Sequence, residues 1–559
     1  MYFIVMKMVL NERKLILAVL FIVLIAHASY IFNDFSWLDH RDIEAGRSIV
    51  RLEHFLGAFL TNFADTSFYR PVVTIVNSID KILYGSLAWG FHLTNIILHT
   101  AVSYSSFLFT KKYFKVSRKT ALLASLIFGV HTLSWLPAGA ISYRSELLAS
   151  LFTLLTISFH IKAKTSTKFR LHTLIFLFLA LASKETTLFW TFALIVFWEI
   201  TNKKIKSVGL WVREAFVFLF HIILRFIALP DVWHISGTKL SLGYVISSRA
   251  WVLGKQLIYL ISPFKPPLSD AVALTSFVNI NSVVVLLFFL AITFIVLKLG
   301  LKSVWSQVLL FIGITLLPSL NIIPLPRFTS PHYSYFASVG IGLIGSLIYE
   351  YVSREKTLIN RLILACLITW VFLSTLSTFV GGFHYKNDLT LFGPEVENDK
   401  NFKEGLFYLG DYYLKRGDFE KAEGYYARAL DVTEDVIAYV DKNALRTNLA
   451  MVKLAKGELG EAEELLNKVY DSVPKKERAN VSYNLALISF QKKDYKKVIG
   501  FLEPYKNMWS VPEPLFLLSK AYIGENEPRK AAESLRIALT MLSDTQKKET
   551  ERIIMELER

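Results

Sequence analysis

The residues best placed to do chemistry lie in the stretch Phe35 to Asp42, FSWLDHRD. It is the first polar sequence after an apolar run long enough to cross a bilayer, and it carries two carboxylates. A carboxylate at a membrane edge works in low dielectric, where every charge interaction is strengthened, and is well suited to act on a substrate held at the lipid surface. Asp39 is the leading candidate for a catalytic group and Asp42 the second; a solvated ion pair with Arg41 and His40 is the plainer alternative. Three cations could meet them. Arg144 and Lys184 fall at the outer ends of apolar runs, and with Arg70 they could converge near Asp39 and hold a phosphate by charge-assisted hydrogen bonds. Glu146 and Glu185 stand beside two of them, so mutually satisfied ion pairs are the competing expectation. His92, Asn95 and His99 occupy positions i, i+3 and i+7 of one helical face. They lack further ligands for zinc, so interhelical hydrogen bonding is expected of them and no metal site.

The elements that position these residues are apolar. The chain has 559 residues, is 53% apolar and 14% aromatic, and is expected to be an all-α polytopic membrane protein with an attachment. Apolar runs recur near 15–33, 90–110, 120–137, 145–161, 171–183, 186–200, 214–230, 281–299, 304–320, 334–350 and 362–380, which gives about eleven crossings. Leu15 to Phe32 lacks a small-residue cleavage site and reads as a retained helix. The formal charge of +16 sits mostly in short loops, so it is read as topology and not as a nucleic-acid footprint. With eleven crossings the basic clusters share the cytoplasmic side, which places the N-terminus inside and the first loop and the C-terminal third outside. Val245 to Ser262 carries Arg249, Lys255 and Gln256 and is expected to lie on the outer surface, as is Thr61 to Leu87. The single cysteine, Cys366, excludes a disulfide framework within the chain.

Composition changes near Phe383. Residues 1–385 are read as the membrane domain, 386–400 as a linker and 401–559 as a solenoid of four helical repeats. Leu406, Leu409, Gly410, Tyr413, Gly417, Ala422, Tyr426 and Ala429 have the spacing of a tetratricopeptide repeat. Further copies follow at Leu449, Leu485 and Leu518, steps of 40, 36 and 33 residues, the second copy ending at Pro474. Thr545 to Glu558 reads as a polar capping helix. Such a stack binds extended peptides or partner proteins and contributes no chemistry.

The order of pieces carries a resemblance. An acid in the first outer loop is followed by YRP (69–71), GFHLTNIILH (90–99), a third helix ending near His131, YRSELLAS, SKE, NIIPL and HYSYFASVG, and then by the repeats. This order resembles the transmembrane and tetratricopeptide-repeat O-mannosyltransferase family and its prokaryotic relatives, a branch of the GT-C-fold membrane glycosyltransferases. The resemblance implies a polyprenyl-phosphate sugar as donor, an extracytoplasmic acceptor protein, an outer-loop acid as base, and a place in the cell membrane. Leu38 replaces the first acid of the family's pair, and Asp39 keeps the second. Of the two histidines and glutamate that end the third helix, His131 remains. Where the family has an acid and an arginine before the tenth crossing, this chain has Pro331 and His332, and His332 joins the candidate phosphate ligands. A non-catalytic scaffold or receptor is the rival expectation.

Overall fold

The computed structural model describes residues 12–44, 52–64, 66–163, 166–202, 208–229, 242–273, 280–320, 327–355, 357–431, 436–473 and 478–558. NIIPL and Pro474, both singled out above, lie outside the described residues. Two compact units emerge, the first containing residues 1–401 with 434–439, the second 402–433 with 440–559.

The first unit is helical. Its helices are α1 (Glu12–Ala26), α2 (Pro71–Tyr84), α3 (Ala88–Tyr113), α4 (Arg118–Gly129), α5 (Trp135–Gly139), α6 (Arg144–Ala163), α7 (Lys168–Leu181), α8 (Thr187–Asn202), α9 (Val208–Ala228), α10 (Leu242–Ile261), α11 (Ile280–Leu299), α12 (Val304–Leu316), α13 (Ser338–Val352), α14 (Leu358–Gly382) and α15 (Asp388–Asn398). Each apolar run named above overlaps at least one of them, and the run 120–137 is divided between α4 and α5. Among the described residues, three helical stretches are long and apolar enough to cross a membrane: Arg13–Phe32, Ile141–Ala163 and Leu358–Lys386. A fourth results if Arg118–Gly129 and Thr132–Gly139, bent by 52°, form one span. Of the remaining runs, those on α7, α8, α12 and α13 fold as helices of 14, 16, 13 and 15 residues; α11 contributes the apolar stretch Val285–Leu299; and α3 spans 26 residues but buries His92, Asn95, His99, Ser103, Ser105 and Ser106.

Packing explains the arrangement. Trp190, Phe311, Phe336 and Leu343 share one core with Val102 and Phe109 of α3 and Leu147 of α6. Helices α4 and α13 touch at Gly342, where a Cβ would stand 2.3 Å from the Ala124 carbonyl oxygen; only glycine permits that approach. Buried polar groups find partners across the bundle. His160 lies between Glu199 at 2.9 Å and Glu214 at 2.6 Å, tying the ends of α6, α8 and α9 together.

Within residues 386–400, expected as a linker, Asp388–Asn398 form α15. Asn387 opens it with a capping box that includes Thr390. The helix belongs to the first unit, because Glu395 accepts the Leu268 N–H at 2.8 Å and pairs with Lys265. Strand β1 (Val272–Ala273) pairs antiparallel with β2 (Val436–Ile437) in the same unit.

The second unit is a series of helix hairpins: α16 (Lys403–Leu414) with α17 (Phe419–Leu430), α18 (Lys442–Ala455) with α19 (Leu459–Ser472), α20 (Ala479–Gln491) with α21 (Tyr495–Leu502), and α22 (Glu513–Gly524) with α23 (Pro528–Leu539). A last helix, α24 (Asp544–Leu557), follows. The hairpin turns each contain a residue with positive φ: Gly417, Gly457, Lys493 and Asn526. The steps between them are those of the sequence repeat, because one left-handed residue is what reverses the chain at each helix end. Gly410 of α16 meets Tyr426 of α17 so closely that a Cβ would lie 2.4 Å from the ring.

Candidate functional site

Asp39 sits at the start of a short helical turn, His40–Glu44, just past α1. It is fully buried. Its carboxylate accepts the Ser142 N–H at 2.8 Å, the Ser142 hydroxyl at 2.7 Å and, more weakly, the Ile141 N–H at 3.4 Å. These donors come from the turn between α5 and α6. Burial raises the Asp39 carboxyl from 3.8 to about 6; the bonds from Ser142 oppose that rise and the nearby charge of Asp42 adds to it. A carboxylate with that affinity for a proton can take one from a hydroxyl near neutral pH. Asp42 is also buried, and its carboxylate accepts from the Arg41 Nε–H at 2.7 Å.

The loop that carries Asp39 is anchored from the far end of the unit. Asp388, the first residue of α15, accepts the Trp37 N–H at 2.7 Å and lies 2.8 Å from His40 Nε2. Trp37 has φ of 58°, a left-handed conformation that a bulky residue keeps only when its surroundings hold it. Its indole packs on Tyr143, with ring centroids 5.2 Å apart, and Tyr143 packs on His332 at 4.5 Å. Asp39, Ser142, Tyr143 and His332 are thereby linked by direct contact.

The cations assigned to a phosphate each face a carboxylate. Arg70 pairs with Glu185 at 3.0 Å and stacks over Phe68. Arg144, fully buried, pairs with Asp80 at 2.6 Å. It also donates to Asn95 at 2.7 Å, to Asn77 at 2.8 Å and to the Phe91 carbonyl at 3.0 Å. Lys184 pairs with Glu146, and His332 Nε2 lies 3.5 Å from the same carboxylate. Burial, then the charges of Lys184 and Arg327, hold the His332 imidazole well below 6.5, so at neutral pH it is no cation. The expectation that Arg144 pairs with Glu146, and Lys184 with Glu185, gives way to these partners, because the helix ends bring different carboxylates within reach.

The polar face of α3 is absorbed by helix contacts. His99 Nδ1 is 2.7 Å from the Tyr335 hydroxyl and Nε2 is 3.0 Å from the Gly129 carbonyl. Asn95 donates to the Pro137 carbonyl at 3.3 Å, and His92 Nε2 lies 3.3 Å from the Asp34 carbonyl. His131 bonds the Leu260 carbonyl at 2.9 Å through Nε2 and accepts the Leu133 N–H at 3.1 Å. Among the described residues no group of three His, Cys, Asp or Glu side chains could hold a metal ion. Sequence reasoning missed Ser142, Asp80, Asn77 and Asp388. Ser142 alone carried a local signal, standing two residues before Arg144 at the opening of α6.

Residues 403–435 match the family described as Tetratricopeptide repeat. The chain is 28% identical to the human protein O-mannosyl-transferase TMTC2 over 142 residues, which cover 23% of this chain and 16% of that protein. It is 28% identical to human TMTC3 over 138 residues, 24% of this chain and 15% of that protein. With human TMTC4 the identity is 27% over 150 residues, 24% of this chain and 20% of that protein. The matched stretches thus span no more than 20% of these relatives. The solved APC/C hetero-tetramer Cut9-Hcn1 covers 87% of this chain at 12% identity, with a TM-score of 0.25 that carries no argument about fold. Over part of its length, then, this helical chain with a tetratricopeptide repeat is similar to proteins named as protein O-mannosyl-transferases.

Proposed function

We propose that this chain is a membrane glycosyltransferase that moves a sugar from a polyprenyl-phosphate donor to a hydroxyl of an extracytoplasmic protein, with Asp39 as base. The observation that carries the reading is the Asp39 carboxylate itself, buried, oriented by Ser142 and lifted to about 6. In this reading Asp39 takes the proton of the acceptor hydroxyl as its oxygen attacks the anomeric carbon. The bond from that carbon to the phosphate oxygen breaks, the lipid phosphate leaves with the electron pair, and the sugar inverts. A single displacement needs one base and no second nucleophile. Arg70, Arg144 and Lys184 meet the negative charge that develops on the leaving group, exchanging carboxylate partners for phosphate oxygens. The apolar helices form a bundle of about eleven crossings of GT-C type, with the N-terminus in the cytoplasm and the repeats outside, where they deliver the acceptor. Asp39→Asn should fold and lose sugar transfer in membranes supplied with a polyprenyl-phosphate sugar. Retained turnover would remove Asp39 from the role.

A second reading is favoured by the pairing of the cations. With Arg70, Arg144 and Lys184 balanced by Glu185, Asp80 and Glu146, the same bundle would serve a non-catalytic scaffold whose repeats recruit envelope proteins. It requires partner binding that Asp39→Asn leaves untouched.

A further inference from the structure

A cation absent from the sequence-derived set stands beside the Asp39 loop. The Arg327 guanidinium lies 5.1 Å from the centroid of Trp37 and 5.3 Å from that of Tyr439, within the range of cation–π attraction. Trp37 is two residues before Asp39. Tyr439 comes from farther away in sequence. It ends a short segment that follows the first helix hairpin of the repeats in sequence, yet the segment packs within the first unit. A strand pairing and a side-chain bond fix it there. Val272 pairs with Ile437 and Ala273 with Val436, and the Tyr439 N–H donates to the Asp270 carboxylate at 3.0 Å. The charge of Arg327 also reaches His332, where it helps to keep that imidazole neutral, so the guanidinium shares one neighbourhood with the aromatic row Trp37, Tyr143 and His332.

We propose that Tyr439 is a positioning residue of the transfer site: with Trp37 it clamps Arg327 beside the Asp39 loop, where the guanidinium meets the phosphate of a lipid-linked donor. The inference rests on the glycosyltransferase reading and adds to the donor site a residue of the first unit that is distant from it in sequence. Two aromatic faces suit a guanidinium, which is planar, weakly hydrated and permanently charged, and its fork of N–H groups matches phosphate oxygens.

The test is direct binding to the full chain in nanodiscs, read by native mass spectrometry with a polyprenyl monophosphate that carries no sugar. Arg327→Gln should weaken binding about tenfold and Tyr439→Ala roughly three- to tenfold, as expected for losing a charge-assisted contact and its orientation. Tyr439→Phe keeps the aromatic face and should bind as the wild type does, a rescue that a general structural role for the hydroxyl would not give. Inorganic phosphate at millimolar concentration should compete for the wild type and lose that effect in Arg327→Gln. The proposal is overturned if the wild type binds no polyprenyl phosphate. It is equally overturned if Arg327→Gln or Tyr439→Ala binds like the wild type, or if phosphate does not compete, which would place recognition in the lipid tail. Binding that follows this pattern in a chain that transfers no sugar would sink the glycosyltransferase reading and leave the clamp standing.

Discussion

The acid limb of the transfer rate is the sharpest consequence of the Asp39 geometry. With the carboxyl at about 6, roughly nine-tenths of it is ionised at pH 7 and roughly one-tenth at pH 5, so the rate should fall about tenfold between them. Ser142→Ala removes the hydroxyl bond at 2.7 Å, which favours the charged form. Bonds to a charged group contribute about 1.5–3 kcal/mol, and 1.36 kcal/mol moves a pKa by one unit, so the limb should shift up by about 1–2 units. Stability must move the opposite way from activity. The folded-state value of about 6 lies above the ordinary 3.8, so the native chain binds the proton more tightly than the unfolded one does. That contribution is fully present below 3.8 and is lost as pH rises through 6. The ionised carboxyl therefore lowers stability at pH 8 by about 3 kcal/mol, and Asp39→Asn, which still accepts from Ser142, should melt higher than the wild type there. The assay pairs initial rates of sugar transfer with thermal unfolding across pH 5–8. A rate flat from pH 5 to 7, or an Asp39→Asn variant that turns over normally, refutes the assignment of the base.

The buried ion pairs and the repeats give further expectations. Arg144→Ala leaves Asp80 buried without its cation, so unfolding should become easier by about 3–5 kcal/mol, read as a fall in the melting temperature. Gly410→Ala drives a methyl into the Tyr426 ring; the repeats should lose about 1–3 kcal/mol and be cut faster by protease, while the Asp39 site keeps its pH profile. For topology, Lys415→Cys in a Cys366→Ser background should react with a membrane-impermeant maleimide in intact cells. Protection until the cells are lysed would place the repeats in the cytosol, remove them from the acceptor's side and end the transfer reading.

Local patterns were legible in the sequence, and long-range partners were not. The apolar runs declare helices because periodicity and length are properties of a short window. The four left-handed turn residues are spaced as the repeats are, for the same reason. Helix α15 was hidden by its composition: its first residue is Asp388 and Pro394 lies inside it, features of a linker until the capping box at Asn387 is seen. The count of crossings was less legible, since α12 has 13 residues and α13 has 15, and a run of apolar letters does not reveal where the helix within it stops. Asp39 stood out by position, but Asp388, which holds its loop, is about 350 residues distant and follows no motif. Asp80 and Asn77 were equally invisible as partners of Arg144, because a helix face is chosen by its neighbours in the folded chain.

The closed state of the site constrains how a transferase of this build must work. Asp39 is shut away from solvent by the Ile141–Tyr143 turn, whose own N–H groups satisfy it. An acceptor hydroxyl therefore has to take the place of one of these donors, and the Ser142 hydroxyl is the one that can rotate away without breaking the backbone. The Trp37 side of the loop has less freedom, since its N–H is fixed by Asp388 and its backbone is already left-handed. Motion should thus fall to the turn between α5 and α6 rather than to the Trp37 side of the loop. The same motion would swing Arg144 at its C-terminal end, and the four groups that grip this guanidinium then set how far the turn can open. Loosening one of them by Asn77→Ala should raise the rate of exchange of the Ser142 amide hydrogen ahead of any fall in the melting temperature, whereas unchanged exchange would mean that Asp39 is uncovered from the loop side.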